Sequence, residues 1–318
     1  MGRGQRALAS PTMNPWNTSD IPDQTGRLAV VTGANSGLGL VTATELARHG
    51  ADVVLAVRNV AAGDDAARAI AAAVPGAKLR VRSLDLASLA SVRTFADRLA
   101  EETGQVDLLV NNAGLVLLGP RQTTSDGFEL HLGTNMLGHF ALTGLLLPLL
   151  GRGDAPRVVS LSSITHKTAH LDFDDLMVER GYRASPAYGA SKLANTVFGI
   201  ELDRRLRATG SPVLSTLAHP GLSGTNLTPR AWEDRGRAGR WAARLGLLVT
   251  QSVEAGALPQ LHAATATGVR GGQFFGPAGF REIRGRVAEV RASAEATDPA
   301  VGRRLWTTAE ELTGMAYL

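Results

Sequence analysis

The sequence predicts an α/β chain folded as one doubly wound parallel sheet of about seven strands, with helices on both faces. Three observations predict it. Short apolar runs alternate with helical stretches at close intervals between residues 28 and 218, and that order with short connections produces parallel strands. The first run passes directly into a glycine-rich turn and then a helix. Small polar or charged residues gather where each run ends, at the carboxyl edge where sheets of this kind bind ligands.

Residues 1–25 read as an N-terminal extension, polar and turn-rich over 14–26, with Met13 an alternative start to Met1. Residues 28–32 (Leu-Ala-Val-Val-Thr) form an all-apolar run suited to a strand buried on both faces. They lead into Gly33-Ala34-Asn35-Ser36-Gly37-Leu38-Gly39 and a helix ending near Gly50. Glycines there permit a tight turn and close backbone approach, and the helix N-terminus offers free N–H groups to a pyrophosphate. A second strand, residues 52–57, ends at Arg58-Asn59 with no acid beside them. A carboxylate at that place would read the ribose hydroxyl of NAD, whereas an arginine pairs with the 2′-phosphate of NADP. The expected cofactor is therefore NADP(H) in preference to NAD(H).

A helix over 60–74 and a third strand over 79–84 follow, the strand ending at Asp85-Leu86. Ser88 can cap the next helix, which runs through Thr103. The fourth strand, 107–110, ends in Asn111-Asn112-Ala113-Gly114, small and polar where the chain must pass close to a ligand. A long helical stretch from Ser125 to about Leu147 carries Asn135 and His139. The fifth strand, 157–161, leads into Ser162-Ser163, a polar excursion over 164–185 and another helix. The sixth, 212–218, leads into His219-Pro220-Gly221-Leu222-Ser223-Gly224-Thr225. Residues 229–250, with Trp232, Trp241 and five arginines, suit a substrate lid. A last short strand is expected at 272–275, then two helices, the second opened by Pro299. The whole of 26–314 reads as one Rossmann-type domain.

The helix after the excursion holds the chemistry. The chain has only three tyrosines and three lysines, and Tyr188 and Lys192 stand four apart. On a helix that spacing puts phenol and ammonium on one face. An ammonium beside a phenol favours the phenolate, which brings the pKa down from about 10 and makes an acid/base suited to interconverting alcohol and carbonyl.

Composition narrows the alternatives. Of 318 residues, 44% are hydrophobic and 19% charged, ordinary for a soluble domain. The net charge is +4, too small an excess to indicate nucleic-acid binding. All but three of the 33 basic residues are arginine, a usage typical of GC-rich bacterial genomes. Cysteine is absent, which excludes disulfides and thiolate metal sites. The longest apolar run, 140–150, is shorter than a membrane span and contains Pro148. The first dozen residues lack the apolar core of a signal peptide. A cytoplasmic protein without stable membrane insertion is expected. His166 and His170, four apart, have no evident third ligand, so no metal site is expected.

Taken in order, Thr32-Gly33-x3-Gly37-x-Gly39, Asn111-Asn112-Ala113-Gly114, Ser163, Tyr188-x3-Lys192 and Pro220-Gly221 resemble the motifs of the short-chain dehydrogenase/reductase superfamily over residues 26–314. Three further stretches, Ala56 to Asn59, Leu130 to Phe140 and Ser191 to Asn195, resemble the branch of retinol dehydrogenases, protochlorophyllide reductases and WW-domain oxidoreductases. The resemblance implies Tyr188 as acid/base, with Lys192 holding the nicotinamide ribose and lowering the tyrosine pKa. It implies that Ser163 bonds the substrate oxygen and that Asn135 anchors a water relaying protons to Lys192. Asp85 and Leu86 would flank the adenine, Asn112, Ala113 and Gly114 the adenosine ribose, and Leu222 and Thr225 the nicotinamide.

Two features depart from the usual pattern. Ser163 and Tyr188 are 25 apart where many members have about a dozen, which an insertion in the excursion explains; Ser162 is a second candidate for the same role. The N-terminal anchor of membrane-bound retinol dehydrogenases is not expected here. The expectation is an NADP(H)-dependent oxidoreductase acting on an apolar carbonyl or alcohol, pairing through the Asn135 helix into a homodimer or homotetramer. An NAD-linked alcohol dehydrogenase and a non-catalytic dinucleotide-sensing protein are the alternatives.

Overall fold

The computed structural model describes residues 15–222 and 251–318. Eight strands form one sheet: β1 (Leu28–Thr32), β2 (Asp52–Val57), β3 (Lys78–Ser83), β4 (Leu108–Asn111), β5 (Arg157–Leu161), β6 (Leu214–Ala218), β7 (Phe274–Pro277) and β8 (Val287–Glu289). Their order is β3-β2-β1-β4-β5-β6-β7-β8. Every neighbouring pair is parallel except β7 with β8. The sequence predicts about seven strands; the eighth is a three-residue antiparallel edge strand, Val-Ala-Glu, too short for a periodicity to register. The strand order reverses between β1 and β4, which opens a crevice at the carboxyl edge of the sheet.

Alternation along each strand divides the core in two. Leu28 and Val30 of β1 point to one face and Ala29 and Val31 to the other. The first face is covered by α3 (Leu89–Glu102), α5 (Gly138–Leu150) and α6 (Ala184–Ala208). The second is covered by α1 (Gly37–Arg48), α2 (Val60–Ala73) and α7 (Val253–Thr265). With both faces covered, the central strands tolerate no polar side and read as continuous apolar runs.

The helix expected from Ser125 starts later. Residues 124–128 close a turn through Thr124 N–H to Phe128 O (2.9 Å) and Gly127 N–H to Thr124 O (3.0 Å). The Glu129 side chain then caps α4 (Leu130–Leu132), and a π-helical turn (Gly133–Leu137) leads into α5. The combined run, Leu130–Leu150, has 21 residues and is long and apolar enough to cross a membrane, but 78% of its apolar window is buried inside the chain.

Two C-terminal helices, α8 (Ala294–Thr297) and α9 (Pro299–Thr313), follow β8, and Pro299 opens the second as predicted. Helix α9 packs on α6. Its Trp306 ring stands 5.0 Å from Phe140 and 6.0 Å from Phe198, and Tyr317 donates to the Phe140 carbonyl (3.0 Å). Phe140 of the Asn135 helix is thus packed within the chain.

Candidate active site

The glycine-rich turn joins β1 to α1 at the mouth of the crevice. Gly33 and Gly37 take left-handed φ values of +66° and +54°, where side chains are disfavoured. Gly39 is required by space: a Cβ there would collide with the Gly33 carbonyl and stand 2.5 Å from Asn112 Nδ2. Ser36 occupies the N-cap position of α1 without a side-chain capping bond, so the first-turn amides remain available to an anion. Asn35 and Leu38 lie in the same turn, Leu38 buried.

The neighbouring strand ends meet this turn. The Gly33 amide donates to Ala56 O of β2 (2.8 Å), and two residues on, Arg58 is the first exposed side chain after β2. Asn59 caps α2, its Oδ1 accepting from Ala62 N–H (3.1 Å). Past β3, Asp85 Oδ1 accepts from Ala87 N–H (2.9 Å). Leu86 is buried, its carbonyl pressed against Gly138.

Thr32 organises the β4 exit. Its hydroxyl oxygen accepts from the amides of Asn112 (3.0 Å) and Ala113 (2.9 Å), and its proton has two acceptors in reach, Val110 O (3.3 Å) and His139 Nε2 (3.0 Å). The His139 Nδ1–H in turn donates to the Asn135 carbonyl (2.9 Å). Burial favours the neutral imidazole, pushing its pKa down to about 4. Asn112 donates to Thr32 O (2.8 Å) and accepts from Gln260 Nε2 (3.3 Å). Gln260 comes from α7 and also reaches Thr42 of α1. Nothing local in the sequence marks Gln260, because its partners lie more than 140 residues away.

Lys192 is buried, 4% exposed, and donates to Leu161 O at the end of β5 (3.0 Å). Burial lowers its pKa to about 8. Gly114 passes over it, since a Cβ there would stand 3.2 Å from Nζ and 3.4 Å from Asn135 Oδ1. The Asn135 amide accepts from Leu115 N–H (2.9 Å) and donates to Leu115 O (3.2 Å) and Ser191 Oγ (2.9 Å). Tyr188 stands one helical turn before Lys192, and Ser163 acts on its phenol to favour the ionised form. Ser163 sits at the head of the 3-10 turn after β5, accepting from Thr165 N–H (3.3 Å).

The sequence predicts that Lys192 lowers the phenol. Here burial raises the Tyr188 pKa, opposed by Ser163, and the lysine is not among the causes. The physical reason is that both groups lose water on the same buried turn, while the ammonium is directed to Leu161. Ser162, the second serine candidate, is spoken for: it is 2% exposed and bonds Lys192 O (3.0 Å) and Thr196 Oγ1 (2.7 Å). His166 and His170 bond different partners, Ser163 O (2.7 Å) and Glu295 (3.0 Å).

A clasp gathers the loops past β5, β6 and β7. The His219 Nε2–H donates to Glu282 (2.9 Å), and Lys167 pairs with the same carboxylate. These contacts, the His219 bond foremost, hold Glu282 near a pKa of about 2. Gly221 donates to His219 Nδ1 (3.2 Å), and a Cβ on it would strike Ile283 O and stand 2.8 Å from Pro277 Cγ. Leu222 N–H donates to Ile283 O (2.8 Å), and its side chain is 38% exposed. Gln251 donates from its backbone to Leu222 O (2.9 Å) and from its side chain to Pro220 O (2.6 Å). Thr225, the expected lid at 229–250 and Met13 lie outside the described residues.

The residues present fit a nicotinamide dinucleotide. A turn closed to any Cβ faces uncapped amides at the α1 end. At the other end a buried ammonium with three donors has Leu161 O as its one bonded acceptor among the described residues. Comparison with known proteins agrees. The short chain dehydrogenase family model matches residues 27–236. Polyprenol dehydrogenase of Mus musculus is 43% identical over 299 residues, covering 92% of this chain and 86% of its own. Retinol dehydrogenase 13 of Homo sapiens is 40% identical over 299 residues, with coverages of 91% and 85%. A solved structure of an uncharacterised protein from Mycobacterium paratuberculosis is 40% identical with a TM-score of 0.79, covering 96% of this chain and 100% of that one. The Pseudomonas aeruginosa RhlG/NADP active-site complex is 26% identical with a TM-score of 0.62, covering 79% and 94%. This chain belongs to the short-chain dehydrogenase family and is an oxidoreductase of the retinol dehydrogenase type.

Proposed function

We propose that this protein transfers hydride between NADP(H) and the carbonyl or alcohol carbon of a bulky apolar substrate, with Tyr188 as the acid/base. The observation that carries the reading is the meeting of Ser163, Tyr188 and Lys192 at the end of β5, across the switch point from the Gly33–Gly39 turn. When bound, the nicotinamide supplies or accepts the hydride. In reduction the Tyr188 phenol gives its proton to the substrate oxygen, and the Ser163 hydroxyl donates a second bond to that oxygen as charge develops on it. The ammonium of Lys192 has donors left for ribose hydroxyls. Asn135, whose side chain is committed to Leu115 and Ser191, keeps a carbonyl lone pair for a proton-relaying water.

Arg58 supports NADP(H): it is exposed beside the turn that binds the phosphates, and the Asn59 next to it is spent on capping α2. The related polyprenol and retinol dehydrogenases are named for long apolar alcohols, which supports an apolar substrate. Fluorescence titration of wild type and Arg58→Ala with NADPH and NADH tests the cofactor. Wild type is expected to favour NADPH by about tenfold or more, ~1.4 kcal/mol, and Arg58→Ala to lose that preference. Equal affinities in wild type would move the reading to an NAD-linked dehydrogenase. A carbonyl panel, with Tyr188→Phe as the inactive reference, tests the chemistry.

A further inference from the structure

Glu129 and His131 are each 1% exposed and bonded to one another, His131 Nδ1 to Glu129 Oε1 at 2.9 Å, and apart from the Glu129 cap of α4 none of the roles above uses them. The other carboxylate oxygen accepts from Leu132 N–H (2.8 Å). Tyr182, arriving from the excursion after β5, donates to Oε1 (3.3 Å). Burial pushes the Glu129 carboxyl up, but the bonds from His131 and Leu132 outweigh it and hold the group ionised below its ordinary pKa. A carboxylate only accepts, so His131 Nδ1 carries a proton. The Leu117 amide donates to His131 Nε2 (3.1 Å), so Nε2 is the acceptor and the imidazole is one fixed neutral tautomer. Sequestering a carboxylate to lock a tautomer is costly, and a packed apolar pair would fill the same volume.

The position of the locked ring suggests why it is retained. Its edge meets the Tyr188 ring, centroids 6.0 Å apart at 71°. His131 and Asn135 are four apart on one helical run, and both grip the chain leaving β4. Asn135 holds Leu115 by two bonds and His131 holds Leu117 by one. The segment therefore runs from Gly114, over Lys192, to Leu117 at the locked ring, with Leu118 next in the chain. Those two leucines are 42% and 40% exposed, large apolar side chains left in water at the site's edge.

We propose that His131, locked by Glu129 and Tyr182, is a positioning residue that fixes Leu117 and Leu118 as the apolar wall of the substrate site. It thereby sets a preference for bulky apolar carbonyls and alcohols over small ones. This deepens the oxidoreductase reading and rests on it.

Three variants test the proposal. His131→Phe keeps a flat ring but removes the acceptor, His131→Gln keeps an acceptor near the Nε2 position, and Leu117→Ala shortens the wall without touching the clip. Amide hydrogen exchange at Leu117 and steady-state kinetics with decanal and propanal are the readouts. In His131→Phe, Leu117 exchange and the decanal KM are each expected to rise about tenfold, the scale of one lost hydrogen bond. The decanal kcat, the propanal KM and NADPH affinity stay near wild type, and His131→Gln restores both changed values. Leu117→Ala raises the decanal KM alone. Unchanged Leu117 exchange in His131→Phe overturns the proposal. So do KM values for the two aldehydes that move together, or an unaltered decanal KM in Leu117→Ala. A wild type that turns over no carbonyl in the panel overturns the oxidoreductase reading and this proposal with it. An active wild type with no split between aldehydes overturns the proposal alone.

Discussion

Burial acts on Tyr188 and Lys192 with opposite sign, lowering the ammonium to about 8 and raising the phenol above 10. The first proton lost, near pH 8, is therefore the ammonium's, while Tyr188 keeps its phenol proton. Reduction needs that phenol proton and the ammonium that holds the cofactor. Accordingly kcat/KM for carbonyl reduction is expected to be flat below about 8 and to fall above it. Lys192→Met should abolish that inflection; a profile that keeps it in the variant would assign the ionisation elsewhere. The sequence reveals the pair through its four-residue spacing. It does not reveal Leu161 O as the lysine's acceptor or Glu282 as the partner of His219, because those partners are 31 and 63 residues away and carry no periodic signal.

Among the elements, the sharpest constraint is where the first turn of α1 touches β1 and the exit of β4. A methyl at Gly39 meets the Gly33 carbonyl and Asn112 Nδ2, neither of them the free end of a flexible side chain, since Asn112 is held by Thr32 and Gln260. Gly39→Ala is therefore expected to weaken NADPH binding by about 100-fold, roughly 3 kcal/mol, in a fluorescence titration. Affinity near wild type would mean that the turn relaxes. All seven parallel strands were legible within two residues, the central ones because burial on both faces leaves apolar runs. The late start of α4 was hidden because Ser125 and the residues after it suit either a helix or a turn. Bonds donated to the carbonyls of Ala87 and Phe128, distant or non-periodic in sequence, decide for the turn.

For the molecule as a whole, two buried imidazoles govern behaviour in acid. His139 and His166 are both lowered from 6.5 to about 4, chiefly by burial. Below 6.5 the unfolded chain takes up protons that the folded chain refuses, so stability falls as pH drops from 6.5 to 4, by up to about 3 kcal/mol per imidazole. Glu282, held near 2, contributes stability above 4.5 that is lost between 4.5 and 2. Urea unfolding at pH 7, 5.5 and 4.5 should show the decline, with a shallower slope in His139→Gln; a midpoint that does not move over this range would refute the account. The meeting of Gln251 with Leu222 and Pro220 has a consequence on a longer timescale. The chain leaves β6 and returns to α7 at one seam, and each side is fastened independently, Leu222 to Ile283 and α7 by its Ser252 cap. Sequence inserted at a seam with coincident ends adds little closure entropy, even when its length doubles. Lineages can therefore rewrite this stretch as an exchangeable cassette while inheriting the proton-transfer residues unchanged.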